Sequence, residues 1–160
     1  LVLNQVPFGQ IDNVAGPEAK FDVDKWDGYL VERRRLTEAF RGHPKKPVLV
    51  TGDMHANSAL ELKADFDDER SEVVGTEFIA TSVTSAGDGD DLPSAGAEYL
   101  KANPHLRFFN GQRGYLRCTL TAERFTTDFR VLEYVKQPGS PVSTRASYFV
   151  EPGRPALQKT

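Results

Sequence analysis

The chain has 160 residues, with 20 Lys and Arg against 23 Asp and Glu for a formal net charge of −3, and 39% of its residues are hydrophobic. That is the composition of one soluble globular domain or part of one, and no apolar run approaches the roughly 20 residues of a membrane-spanning helix. Charges of both signs are interspersed at a pI near 5.6, which gives nucleic acid no basic face, and the single Cys118 excludes an internal disulfide and a cysteine-rich zinc site.

Leu1 to Val6 reads as a short strand, and Pro7 to Asp24, without a sustained period, reads as a loop long enough to be a lid or binding loop. From Trp26 the residues Tyr29, Leu30, Arg33, Leu36, Ala39 and Phe40 recur at helical spacing until Gly42 and Pro44 stop them. Glu32, Arg34, Arg35, Glu38 and Arg41 form the solvated face. Pro47 to Asp53 is an apolar run ending in Thr51-Gly52-Asp53, as expected of a buried strand whose carboxyl end opens into a loop. Leu60 to Phe66 alternates like a half-exposed strand, and Val73 to Ser82 is a further strand. Ala86 to Pro93 breaks the chain before a short helix over Ala95 to Ala102.

Three strand-like runs follow, His105 to Phe109, Arg113 to Thr121 and Arg124 to Lys136, and they suggest an antiparallel meander. Alternation in the second puts Cys118 on the apolar face, which favours a buried, inert thiol. Pro138 to Ser143 reads as a linker, Ala146 to Val150 as a last strand, and the Pro-rich tail is ordered only if it docks.

Chemistry concentrates at Gly52-Asp53-Met54-His55, where a carboxylate and an imidazole stand two residues apart at a strand end. Such a pair suits a hard or borderline cation, but it also suits a plain turn, and a catalytic metal wants at least three protein ligands. His105, in Asn103-Pro104-His105, is a candidate further ligand or substrate contact. The Gly-x-Ser-x-Gly elbow, the phosphate loop Gly-x-x-x-x-Gly-Lys and the Gly-x-Gly-x-x-Gly fingerprint are all absent.

Leu3-Asn4-Gln5-Val6, Trp26-Asp27-Gly28-Tyr29 with Arg33-Arg34-Arg35-Leu36, Thr51-Gly52-Asp53-Met54-His55, Gly75-Thr76-Glu77-Phe78, and Asn103-Pro104-His105 with Arg113-Gly114-Tyr115 occur in that order. Together they resemble the carboxyl-terminal half of PhoD-like alkaline phosphatases, a family that includes secreted metal-dependent phospholipases D of actinobacterial type. The resemblance implies an α/β, calcineurin-like metallophosphoesterase fold, with residues 1–160 forming the carboxyl-terminal half of a two-sheet αββα sandwich. It implies that Asp53 and His55 are catalytic metal ligands, Asp53 on Ca²⁺ and His55 on Fe³⁺. Trp26, Asp27 and Tyr29 would wall the substrate pocket.

In the family the remaining ligands lie in the amino-terminal half. The expectation is therefore a cleaved or split enzyme, active with an amino-terminal companion chain on phosphoesters or phospholipids outside the cytoplasm. The chain opens Leu-Val-Leu-Asn with neither Met nor a leader, which agrees with residues removed upstream. The alternative is a non-catalytic β-rich partner subunit in which Asp53 and His55 are turn residues.

Overall fold

Val48 to Thr51 (β2) forms the central parallel strand, as the run after Pro47 requires, in a computed structural model that describes all 160 residues. It lies between the two-residue strand Val2–Leu3 (β1) and Val73–Ile79 (β4), parallel to both. Asn57–Lys63 (β3) runs antiparallel to β4, and Leu106–Asn110 (β5) antiparallel to β3. The first sheet thus has the order β1-β2-β4-β3-β5. The second is an antiparallel meander of Gly114–Leu120 (β6), Phe125–Leu132 (β7), Val142–Glu151 (β8) and Arg154–Lys159 (β9).

One face of the first sheet is covered by the loop Pro7–Asp24 together with helices Leu30–Gly42 (α1) and Ser94–Ala102 (α2), which are joined to a core of Phe8, Ile11, Leu49, Leu60, Leu62 and Ile79. The other face packs on the second sheet through Ala59 and Phe78 against Phe125, Phe129, Tyr148 and Val150. This layering of helices, mixed sheet and antiparallel sheet is that of the expected sandwich half.

Several expectations are corrected. β5 leaves the meander and pairs with β3, because the register Asn57↔Asn110 sends Leu106 and Phe109 into the helix-side core. The tail docks as β9, where the Leu157 amide donates to Glu61 and the Thr76 hydroxyl to the Pro155 carbonyl. The linker is shorter than expected, since Val142 already belongs to β8. β3 begins at Asn57 and is buried on both faces rather than half-exposed, because the second sheet lies over the side that carries Ala59.

On α1 the sheet-facing residues are Arg33, Thr37 and, in part, Phe40. Tyr29, Leu30 and Leu36 are exposed, since the buried Asp27–Arg33 ion pair sets the phase of the helix. Cys118 is exposed because β6 is an edge strand, although partial burial holds its thiol above the ordinary range against the pull of the Thr127 hydroxyl. A lipid substrate would need an apolar entrance, and of the four apolar loop residues that could form one, Phe8, Ile11, Val14 and Phe21, the first two are core residues.

Phe78 is fully buried between the sheets, with Phe125 and Phe129 at 6.0 and 6.3 Å between ring centroids. Phe78→Ala is expected to lower stability by about 3–5 kcal/mol, read from urea unfolding of the polypeptide that carries this chain.

Candidate active site

Parallel pairing of β1, β2 and β4, with β3 antiparallel to both β4 and β5, gathers Gln5, Thr51, Asn57, Thr81 and Asn110 at one end of the first sheet. This is the carboxyl end of the central strand, where ligands collect in α/β sheets. The turn Gly52–His55 rises from it.

Its backbone is unusual. The Met54 amide donates to the Gly52 carbonyl at 2.9 Å around Asp53, whose φ is +72°. That is a γ-turn of the positive-φ type, the rarer and more strained form. His55 follows at φ +53°, so two L residues in three adopt a conformation that normally favours glycine. The turn exposes both Asp53 and His55.

The residues beneath are tied down. The Gly52 amide donates to the Gln5 carbonyl at 3.3 Å. The Thr51 hydroxyl donates at 2.5 Å to Glu77, which is wholly buried and also accepts the amides of Phe8 and Gly9. Burial pushes the Glu77 carboxyl upward in pKa against the pull of these donors. Just past the turn, the Asn57 amide group donates to Asn110 at 3.0 Å and to the Gln112 carbonyl at 3.2 Å, while its oxygen accepts the Thr81 amide. Arg113 donates to the His55 carbonyl at 2.5 Å and to the Gly87 carbonyl at 2.8 Å.

The structure brings some expected residues near the turn and turns others away. Trp26 packs on Phe8 at 5.2 Å and shares with Tyr29 a hollow floored by Asn4, Gln5 and Val6. One residue of its lining, Gln5, also holds the Gly52 amide through its backbone carbonyl. Asp27 faces inward instead, paired with Arg33 and accepting the Ile11 amide at 3.3 Å. His105 lies just before β5, at the end of that strand away from Asn110 and the turn, beside Leu106, whose partner is Leu60 in the middle of β3. Its Nε2–H donates to the Gln10 carbonyl at 2.7 Å and its ring meets Phe66 edge-on, so it fastens the long loop.

Glu77, Asn57, Asn110 and Arg113 were not among the expected site residues. A glutamate inside the β-branched run Val73 to Ile79 is a sequence signal for a paired buried carboxylate. Nothing in the local pattern announces Asn57.

As a metal site the turn offers one carboxylate and one imidazole, a donor set suited to a hard and a borderline cation. No group of three or more His, Cys, Asp or Glu gathers in the chain. The two residues therefore fit as part of a catalytic set and do not complete one.

Burial, with the charges of Lys63 and Arg33 adding to it, holds the His105 imidazole below its ordinary 6.5. The unfolded chain then binds a proton that the folded one refuses, so stability is full above about pH 6.5 and declines as pH falls toward the folded value. His105→Gln, which keeps a donor for Gln10, is expected to flatten that decline in urea midpoints measured against pH.

Comparison with known proteins matches the chain to one family. The family model described as PhoD-like phosphatase matches residues 1–129. Alkaline phosphatase D of Bacillus subtilis (strain 168) is 41% identical over 140 residues, which are 87% of this chain and 24% of that protein. The solved structure of PhoD superimposes with a TM-score of 0.92 at 36% identity, over 99% of this chain and 30% of that one. The chain thus spans about a quarter to a third of the length of these relatives.

Proposed function

This chain belongs to the PhoD-like phosphatase family, and we propose on that premise that it supplies the Asp53–His55 ligand pair of a metal-dependent phosphoester hydrolase. The observation that carries this reading is the turn: two metal-type donors, both in left-handed backbone, exposed at the carboxyl end of the central strand. Strain of this kind is kept where surrounding structure enforces it, and it clusters at functional sites. A turn that only had to reverse the chain would take glycine at those positions.

Asp53 would hold the harder ion, Ca²⁺, and His55 the Fe³⁺, by the family resemblance and by donor chemistry. The metals, when bound, would supply polarisation of the phosphoryl oxygens and a water that ionises near neutral pH. The chain's own residues orient. The γ-turn aims Asp53, and the Gln5–Gly52 bond ties the turn to the lining of the hollow of Trp26 and Tyr29. That hollow would take part of the substrate.

The other ligands would come from outside these 160 residues, on an amino-terminal companion region or chain. Two features support this partner: the incomplete donor set, and the open edges of β1 and β6, where Leu3 and Leu120 are exposed. Phosphomonoesters and simple phosphodiesters are favoured over phospholipids, because Phe8 and Ile11 are committed to the core. The setting would be extracytoplasmic, on the family resemblance alone; no helix is long and apolar enough to cross a membrane.

Asp53→Ala and His55→Ala in the full polypeptide are each expected to lower kcat for p-nitrophenyl phosphate by more than about 100-fold, since outer-shell partners of metal sites already cost about 10–100-fold. Circular dichroism should stay unchanged. Bis(p-nitrophenyl) phosphate and phosphatidylcholine, assayed alongside, rank the substrates. Unaltered turnover and metal content in both variants would favour the non-catalytic partner.

A further inference from the structure

We propose that Arg113 is a positioning residue for the Asp53–His55 turn, its guanidinium fixing the His55 backbone and with it the direction of the His55 ring. The inference rests on the reading of that turn as half of a metal site.

Arg113 stands where the chain crosses from the first sheet to the second, between the end of β5 at Asn110 and the start of β6 at Gly114. The crossing is tight. A Cβ on Gly114 would sit 1.9 Å from the Arg130 carbonyl oxygen, so only glycine passes there, and the Arg113 carbonyl is held by the Leu132 amide at 2.9 Å. The backbone of Arg113 is thereby anchored to β7 while its side chain reaches back to the first sheet.

There Arg113 is 8% exposed and every acceptor of its guanidinium is a neutral oxygen. Nη1 donates to the His55 carbonyl at 2.5 Å and lies 3.5 and 3.4 Å from the hydroxyls of Thr81 and Ser82. Nε donates to the Gly87 carbonyl at 2.8 Å. A buried charge spent on uncharged partners is an expensive way to stabilise a fold, and it needs another reason. The acceptors supply one. His55 at φ +53° is one of four non-glycine residues of left-handed conformation in the chain, and Ala86 at φ +68°, next to Gly87, is another. Arg113 thus clamps two strained segments, the ligand turn and the loop after β4, to each other and to the second sheet. Its planar fork suits two carbonyls at fixed angles, whereas a lysine ammonium is a single point charge.

The test compares wild type, Arg113→Gln and Arg113→Lys in the full polypeptide. Three readouts are taken: amide hydrogen exchange over residues 52–57 in metal-stripped protein, release of Ca²⁺ and iron into EDTA, and kcat and KM for p-nitrophenyl phosphate. Arg113→Gln should exchange faster over 52–57 with the rest of the sheet unchanged, release metal about 10–100-fold faster, and lose kcat with KM little altered. Arg113→Lys should fall between, since one ammonium reaches one carbonyl.

Wild-type exchange and metal release in a folded Arg113→Gln would overturn the proposal. If that variant does not fold, Arg113→Lys decides, and values matching wild type would overturn it equally. A wild type that takes up no metal refutes the metal-site reading instead, and leaves exchange over 52–57 to decide the positioning claim.

Discussion

A single buried carboxylate organises this molecule. Glu77 sits in the middle of the first sheet with no exposure, and it accepts the amides of Phe8 and Gly9 and the hydroxyl of Thr51. Each of those donors would otherwise lose its water on burial, at about 1–3 kcal/mol apiece. Through these bonds the long loop after β1 becomes a layer of the fold, so that Phe8 can close the core over Leu60 and Leu62. The same side chain fixes Thr51, the last residue before the Gly52–His55 turn. Scaffold and site therefore hang from one group.

The turn is the place where the fold gives stability up. Left-handed backbone at Asp53 and His55 costs on the order of 1–2 kcal/mol for each residue, and neither is glycine. The cost is met by contacts of long sequence separation: Gly52 to Gln5, Asn57 to Asn110 and Thr81, and Arg113 to His55. None of these can form until the first sheet and the crossing into the second sheet are in place. The geometry of the Asp53–His55 pair is thus a property of the whole half-sandwich, which a peptide containing Gly52 to His55 would not reproduce.

This explains which features were legible in the sequence. The strand ending at Thr51 and the Asp-x-His pair were visible, because a continuous apolar run followed by Gly is a local signal. Helix α1 was legible in extent and misread in phase. Its spacing allowed a stripe through Tyr29, Leu30 and Leu36, while the pair Asp27–Arg33, six residues apart, turns a different stripe inward. β5 was assigned to the wrong sheet, since a strand pattern says nothing of which neighbour it joins. His105 looked like a ligand because imidazole chemistry is read from identity, while its contacts with Gln10 and Phe66 depend on loop packing. Asn57 and Arg113 matter through partners 24 to 58 residues away, and no pattern in a window of sequence reports that.

The distribution of rigid and open parts has a logic of its own. Everything behind the turn is fastened: Glu77 below, Asn57 and Asn110 at one side, Arg113 at another. Everything in front of it is exposed, including Asp53, His55 and Tyr29. The strands β1 and β6 each leave one edge unpaired, with Leu3 and Leu120 uncovered. A half-sandwich built this way can bring two donors to a fixed position without enclosing an ion, because two ligands held rigidly at a surface still leave most of a metal's coordination sphere to water. On the proposed reading, closure would come from a second set of donors arriving over the exposed side. The more firmly this half is pre-set, the less ordering that second set must supply when the site is assembled.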